Sequence, residues 1–573
     1  MTTYNGYELN YSLNKFKTMA TKEMSDIKML SPESEAYKNL SDADKKVLKH
    51  LVSAARIINN VALKQDNAHN IAQKEALEKA AKKGDEHASW ALKIFNSING
   101  VAGLNGINRR PITIFKGIKP TIGKNFYPED LSIKEFHKIL LNMFNAGEIE
   151  EIKKILSART MVIRDGKKLK AIDYTEYFKP EFDAIANELE VAAHYCTNDL
   201  FKEFLEWQAQ ALIQNNLEMD RLADTHWAMM QDTPLEFTIS RENYDDELTS
   251  TVLENKELAK LIKQYNIEVI AKDMLGARVG IVNKEGTDLL LKFKDTMPKL
   301  SGLMPFADKY EQSISKNKEI KQTMVDVDLV CLTGDYAQCR GGITIAQNLP
   351  NNDKIAIKTG GGRRNVYHRQ IRQSHDEKRT KKMLKAFLHP DFHKYYNNEA
   401  DHLFVIGHEN GHSLGPSSEY QNSPGICKSI IEENKADSIS LSFMPEYVKR
   451  GIITEEQLKE IYTTWAVRSL LHAQPIFPTQ THRIATLIEF NIMLRNKAIF
   501  FDENKLMHID FKKVAPTAYD MLTKIIDVQL SKSPQKARKY VEENTAWTEL
   551  NEHIAATHKK LGVKKYKNII SYL

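Results

Sequence analysis

Along this chain apolar residues recur mostly three and four positions apart, the helical spacing, and only in a few stretches at every second position. From about Pro32 to Asn99 the chain has few glycines or prolines and many Ala, Lys, Glu and Leu, so it reads as helix. Ser41-Asp42-Ala43-Asp44 can cap a helix running on through Leu51, Ala55 and Ile58. Gly100 to Gly123, with its glycines and the Arg110-Pro111 step, breaks that pattern. A helix follows over about Ser132–Asn145, and Met161 to Ile172 alternates around Asp165-Gly166, which predicts a hairpin. Long helices return from Lys179 to Met219, with Leu189, Ala192, Leu200, Phe204, Trp207 and Leu212 as candidate core.

The middle of the chain reads differently. Glu236–Ser240, Val269–Val282, Val325–Cys331 and Gly342–Ala346 are rich in β-branched residues and predict strands, with a helix over about Gly286–Lys299 between them. Beyond residue 400 the helical spacing resumes: Ser429–Phe443, Pro445–Leu471 and a helix opened by Thr481-His482-Arg483 that runs to about Ala498. The tail, Asp510 to Leu573, reads as polar helical packing. The pattern predicts an α+β fold, mainly α-helical.

Composition narrows the function classes. A chain of 573 residues has room for more than one core. Its 81 basic and 75 acidic residues leave a net charge of +6 spread over a large surface, which points to neither nucleic acid nor membrane as partner. Cys196, Cys331, Cys339 and Cys427 form no C-x-x-C pair and no disulfide framework, which fits a reducing compartment. Met1 to Lys15 is polar and no stretch approaches a membrane span, so a cytoplasmic location is expected. Lys358-Thr359-Gly360-Gly361-Gly362 lacks the order of a phosphate loop, in which the lysine follows the glycines.

Chemistry concentrates at Leu403-Phe404-Val405-Ile406-Gly407-His408-Glu409-Asn410-Gly411-His412. A helix puts His408 and His412 on one face, one turn apart, which is half of a zinc site. Glu409 can lie beside the metal and take a proton from its water. A catalytic zinc needs a third protein ligand, and Glu432 or Glu433 supplies it from the next helix, with candidate buried positions Ile430, Ile431, Ala436, Ile439, Ser440 and Phe443. Glu433 and Asp437 are one turn apart, so that one can ligate while the other orients an imidazole.

The H-E-x-x-H followed by E-E-x-x-A-D resembles the dipeptidyl peptidase III family of zinc exopeptidases. Most members carry a six-residue H-E-x-x-G-H; the five-residue form here is similar to that of some bacterial relatives. The resemblance implies one Zn2+ per chain held by His408, His412 and Glu433, with Glu409 as general base and Glu432 and Asp437 behind the ligands. Other segments follow in the family's order: Asn125-Phe126-Tyr127-Pro128, the E-x-Y of Glu242 and Tyr244, and Asn348-Leu349-Pro350-Asn351. By resemblance Glu242, Asn348 and Asn351 bind substrate, and Tyr244 and His482 stabilise the oxyanion.

The implied architecture has two lobes with a cleft between them, a helical zinc lobe and a lobe holding a small β-barrel. Residues 1–281 with 328–378 would form the lower, substrate-binding lobe, and 282–327 with 379–573 the catalytic one. The implied activity is removal of dipeptides from the free N-terminus of short peptides. Two alternatives stay open: another zinc metallohydrolase, such as an oligopeptidase or a non-peptide amide hydrolase, and a non-catalytic peptide-binding protein. Family members carry an arginine four residues after the helix-start histidine, for the substrate's C-terminal carboxylate; this chain has Thr486 there. Nothing in the sequence fixes the oligomeric state.

Overall fold

A computed structural model describes residues 2–104, 111–243, 247–312, 321–334, 336, 346–349, 362–374, 376–562 and 566–571. The chain divides into two compact units, one of residues 1–282, 327–344 and 564–573, the other of 283–326 and 345–563.

After short strands and helical turns, the first unit runs into long helices. Ser41 caps α1 (Asp42–Asp66) by accepting from the Asp44 N–H, and Leu51, Ala55 and Ile58 are fully buried along it. Ser132 caps α2 (Ile133–Asn145) in the same way through Glu135. The hairpin of β1 (Thr160–Asp165) and β2 (Lys168–Asp173) turns at Gly166, whose φ of 59° suits a residue without a Cβ. The following helical stretch holds α3 (Lys179–Tyr195) and α4 (Asp199–Gln214), as long helices were expected. The break puts Leu200 in the first turn of α4, exposed rather than in the core, and Trp207 is only half-buried. Then β3 (Leu235–Asn243) pairs antiparallel with β4 (Asp273–Asn283). The C-terminal tail adds a strand the pattern did not suggest: Tyr566–Ile570 pairs in parallel with Met24–Lys28.

The second unit begins with α5 (Lys284–Ser301), followed by β5 (Lys321–Gly334), which carries the chain back into the first unit. Next come β6 (Ala346–Leu349) and its antiparallel partner β7 (Gly362–His368). Strand order in the sheet is β6-β7-β5-β4-β3, and the expected barrel takes the form of this curled half-barrel. The strand expected at Gly342–Ala346 lies outside the described residues except for Ala346. Helices then dominate: α6 (Asn398–His412), α7 (Lys428–Lys449), α8 (Glu455–Arg468) and α9 (Thr481–Arg495). A short hairpin, β8 (Ile499–Phe501) with β9 (Met507–Ile509), precedes α10 (Phe511–Leu530). The fold is α+β with helix predominant.

Pro445 does not start a new helix but lies inside α7. An interior proline costs about 3 kcal/mol. Burial of Met444 and of Tyr447, whose ring stacks on Phe293 at 4.2 Å, offsets that cost.

Candidate metal centre

The packing of α6 on α7 sets the site. Asn397 caps α6 by accepting from the Glu399 N–H, and the helix sinks Leu403 and Ile406 into the core before its last turn presents His408 and His412. Gly407 and Gly411 lie on the face turned to α7. A Cβ at Gly411 would stand 2.9 Å from Ala436 Cα, and one at Gly407 2.5 Å from Ser440 Oγ. These glycines let the two backbones approach, and Ser440 Oγ closes the contact by donating to Phe404 O at 2.8 Å. On α7, Ile430, Ile431, Ala436, Ile439, Ser440 and Phe443 are all buried, as their spacing predicts.

Across this contact His408 Nε2 and His412 Nε2 lie 3.1 Å apart, and Glu433 Oε2 lies 3.5 and 3.7 Å from them. An ion bonded at about 2.0–2.1 Å in tetrahedral geometry separates its ligands by about 3.3 Å, close to this triangle. The outer nitrogens are both engaged: His408 Nδ1 with Asp437 Oδ1 at 2.6 Å and His412 Nδ1 with Glu432 Oε1 at 3.2 Å. Imidazoles that donate through Nδ1 turn bare Nε2 lone pairs on each other and on a carboxylate. Three converging acceptors repel unless a cation sits among them, so this donor set fits a metal.

Without one, the site draws a proton. Burial opposes charge on His408, but Asp437 foremost, then Glu409 and Glu433, hold it up to about 10. Burial likewise opposes a charged Glu433, and the three imidazoles, His482 first, bring it down to about 2. Glu433 Oε2 is buried with no hydrogen bond aligned on it among the described residues, although His482 Nδ1 lies 3.1 Å away. That contact, ahead of the burial that opposes it, raises His482. His482 is exposed and stands at the first turn of α9; one ligand atom each from His408, Glu433 and His482 fall within 4.8 Å of one another. Glu409 is half-buried beside His408, and its charge, after burial, pushes the buried Tyr367 hydroxyl of β7 well above its ordinary value.

Other predicted positions are less fully described. Glu242 is opposite Met274 on β3 and Asn348 opposite Asn365 on β6, both with side chains outside the described residues. Tyr244 and Asn351 lie outside the described residues altogether. The Thr486 hydroxyl donates to His482 O at 2.9 Å, within its own helix.

The structure also brings in residues that the sequence did not mark. Lys435 is fully buried, and its Nζ bonds Glu432 Oε1 and Leu414 O at 2.8 Å each. Burial works against a charged Glu432, yet Lys435 and His412 keep it below the ordinary carboxylate range. Beneath Asp437, Glu489 accepts from Asn434, which in turn accepts from the Tyr540 hydroxyl. Burial and the Asp437 charge raise Glu489 well above its usual value. The signal for Lys435 was its place three residues after Glu432 on a buried helix, where a lysine needs an acid.

Over almost its full length the chain matches the structure of dipeptidyl peptidase III from Caldithrix abyssi, with a TM-score of 0.76 over 97% of this chain and 98% of that one, at 23% identity. This chain has the dipeptidyl peptidase III fold. The enzyme from Corallococcus sp. strain EGB matches at a TM-score of 0.67 and 18% identity, covering 98% and 97% of the two chains. By sequence the chain is 22% identical over 545 residues to Nudix hydrolase 3 of Arabidopsis thaliana; the match covers 86% of this chain and spans 66% of that protein's length. No protein-family model matches.

Proposed function

We propose that the chain is a zinc-dependent exopeptidase that removes dipeptides from the free N-terminus of short peptides. The observation that carries this reading is the convergence of three acceptors, two of them carboxylate-backed imidazoles, beside Glu409 in this fold. His408, His412 and Glu433 would hold one Zn2+ per chain, with Asp437 and Glu432 fixing the imidazoles. A bound Zn2+ supplies Lewis acidity toward the scissile carbonyl and acidifies water.

Glu409 takes the proton of the attacking water on its carboxylate and passes it to the leaving amine. His482, whose pKa the Glu433 contact raises, donates to the developing oxyanion together with Tyr244. Glu242 pairs with the substrate ammonium, while Asn348 and Asn351 offer donors and acceptors to the first peptide units. Thr486 spends its hydroxyl inside the helix, so the C-terminal end of the peptide is read loosely. The lobe of residues 1–281 and 328–378 takes the role of substrate binding. No helix among the described residues is long and apolar enough to cross a membrane. We assign the enzyme to the cytoplasm on its cysteine usage.

The test compares a dipeptidyl-arylamide with its N-acetylated form, on wild type and Glu242→Gln, with zinc counted in parallel. Acetylation strands a carboxylate and should cost wild type roughly 1–3 kcal/mol, about 5- to 150-fold in kcat/KM, and cost Glu242→Gln far less. Equal cleavage of both forms by wild type eliminates the exopeptidase reading.

A further inference from the structure

The second unit holds another set of ligand-type side chains. His389 precedes the short turn Pro390–Tyr395, whereas Asp502 and His508 belong to the β8–β9 hairpin. Backbone pairing joins them: Leu388 bridges Met507, and the His389 N–H donates to Met507 O at 3.0 Å. Asp502 Oδ1 accepts from the Leu506 N–H at 2.9 Å, which pins the carboxylate in the turn and leaves Oδ2 3.3 Å from His508 Nε2. The His508 ring is stacked on Phe500, 5.0 Å away and 8° from parallel, and meets Phe392 edge-on at 5.8 Å. His389 lies 4.3 Å from His508 between ring centres, with the planes 30° apart. All three residues are half-buried, and one ligand atom from each falls within 4.8 Å of the others.

We propose that His389, Asp502 and His508 form a second metal site, for a divalent ion of the zinc, nickel or copper class. Two imidazoles and a carboxylate are donors for such ions, whereas Mg2+ and Ca2+ take oxygen ligands. The 3.3 Å between His508 Nε2 and Asp502 Oδ2 equals the edge expected around a tetrahedral ion. Two of the three ligands are held before an ion arrives, Asp502 by the turn and His508 by the aromatic rings, which lowers the ordering cost. The His389 ring has to swing from its tilted contact with His508, and the broad χ2 torsion of histidine permits this. A plain His508–Asp502 hydrogen bond accounts for that pair, and the cap that His389 Nδ1 offers the Asp391 N–H at 3.4 Å leaves its Nε2 unused. The bound ion would tie the hairpin to residues 388–395 and keep a coordination position open to water.

The test counts metal on the full chain after chelation and dialysis against zinc, and again against nickel. Wild type should bind two equivalents, His508→Ala one, and the double variant His408→Ala/His412→Ala one; Asp502→Asn serves as the milder variant should His508→Ala fold poorly. The second site should also raise the melting temperature on zinc addition in the double variant, and adding His508→Ala to that double variant should abolish the rise. A wild-type count that neither His508→Ala nor Asp502→Asn lowers overturns the inference. A single equivalent lost only with His408 and His412 does the same and leaves the peptidase reading standing, while a single equivalent lost only with His508 overturns that reading instead.

Discussion

The two clusters in the second unit use the same chemistry on different supports. His408, His412 and Glu433 project from two packed helices whose backbones meet at Gly407 and Gly411, and each imidazole leans on its own buried or half-buried acid. His389, Asp502 and His508 stand on a hairpin and a neighbouring segment, half-buried, with His508 stacked on Phe500 and the acid behind His389, Asp391, exposed. The first arrangement turns lone pairs to a common point, its rings 87° apart, whereas the second leaves them 30° apart. Helix packing therefore builds a donor set that fits a cation as it stands, whereas the proposed hairpin site would need a ring rotation first.

The largest difference lies in what stands beside the metal. In the first cluster the half-buried Glu409 directly follows His408, whereas the carboxylate beside His389 in the second, Asp391, is exposed. Glu409→Ala should lower turnover on the order of a hundredfold or more while the zinc count stays that of wild type. Near-normal turnover in this variant removes Glu409 as the base, and a lost zinc equivalent makes it a ligand.

A second contrast concerns the acids behind the imidazoles. Asp437 bonds His408 Nδ1 at 2.6 Å and is buried, so Asp437→Asn should weaken zinc binding at the first cluster by roughly 10–100-fold. Glu432→Gln should cost less, because its contact with His412 is 3.2 Å long and Lys435 remains beside it. Competition against a chelator of known affinity separates the two, and equal losses would show that burial of the acid does not matter.

The unequal legibility of the clusters has a physical cause. His408 and His412 are one helical turn apart in sequence, so local geometry alone brings them together, and the α7 acids follow from a helix whose buried face is periodic. Lys435 stands one turn after Glu432, a spacing that could have marked it, whereas Glu489 acquires its role from long-range packing that no spacing records. The same holds for His389 and His508, which meet only because Leu388 bridges Met507. Local rules failed where packing overrode them, at Pro445 inside α7, and at Leu200, whose place in the helical spacing did not bury it. The substrate-side residues Glu242, Tyr244, Asn348 and Asn351 were named through resemblance; read alone, they are strand-end and turn residues.

Proton uptake separates the clusters further. In the metal-free chain His408 is raised from 6.5 to about 10, so the charge it gains on folding stabilises fully below pH 6.5 and is lost as pH rises through about 10. Zinc must displace that proton, so binding at the first cluster should strengthen over the same window, by up to about tenfold per pH unit. The gap in melting temperature between zinc-loaded and zinc-free chain should therefore widen from pH 6.5 to 9 in His508→Ala, where only the first cluster binds. A gap independent of pH would mean that His408 is already neutral before the metal enters.

The smallest expected effect tests whether an acid behind a histidine matters when it is exposed. Asp391 Oδ2 lies 3.5 Å from His389 Nδ1, the same relation that Asp437 has to His408, but its side chain is 83% exposed. An exposed pair of this length gains little, because water screens the charge and a free side chain must be ordered to hold the contact. In addition, His389 Nδ1 faces the Asp391 N–H at 3.4 Å, which competes with the carboxylate for the same nitrogen. Asp391→Asn should thus change nickel affinity at the second cluster by no more than about threefold, against the far larger loss from Asp437→Asn at the first. A tenfold loss would mean that the ion draws Asp391 into a closed contact with His389, and that the hairpin site is organised from behind as the helical one is.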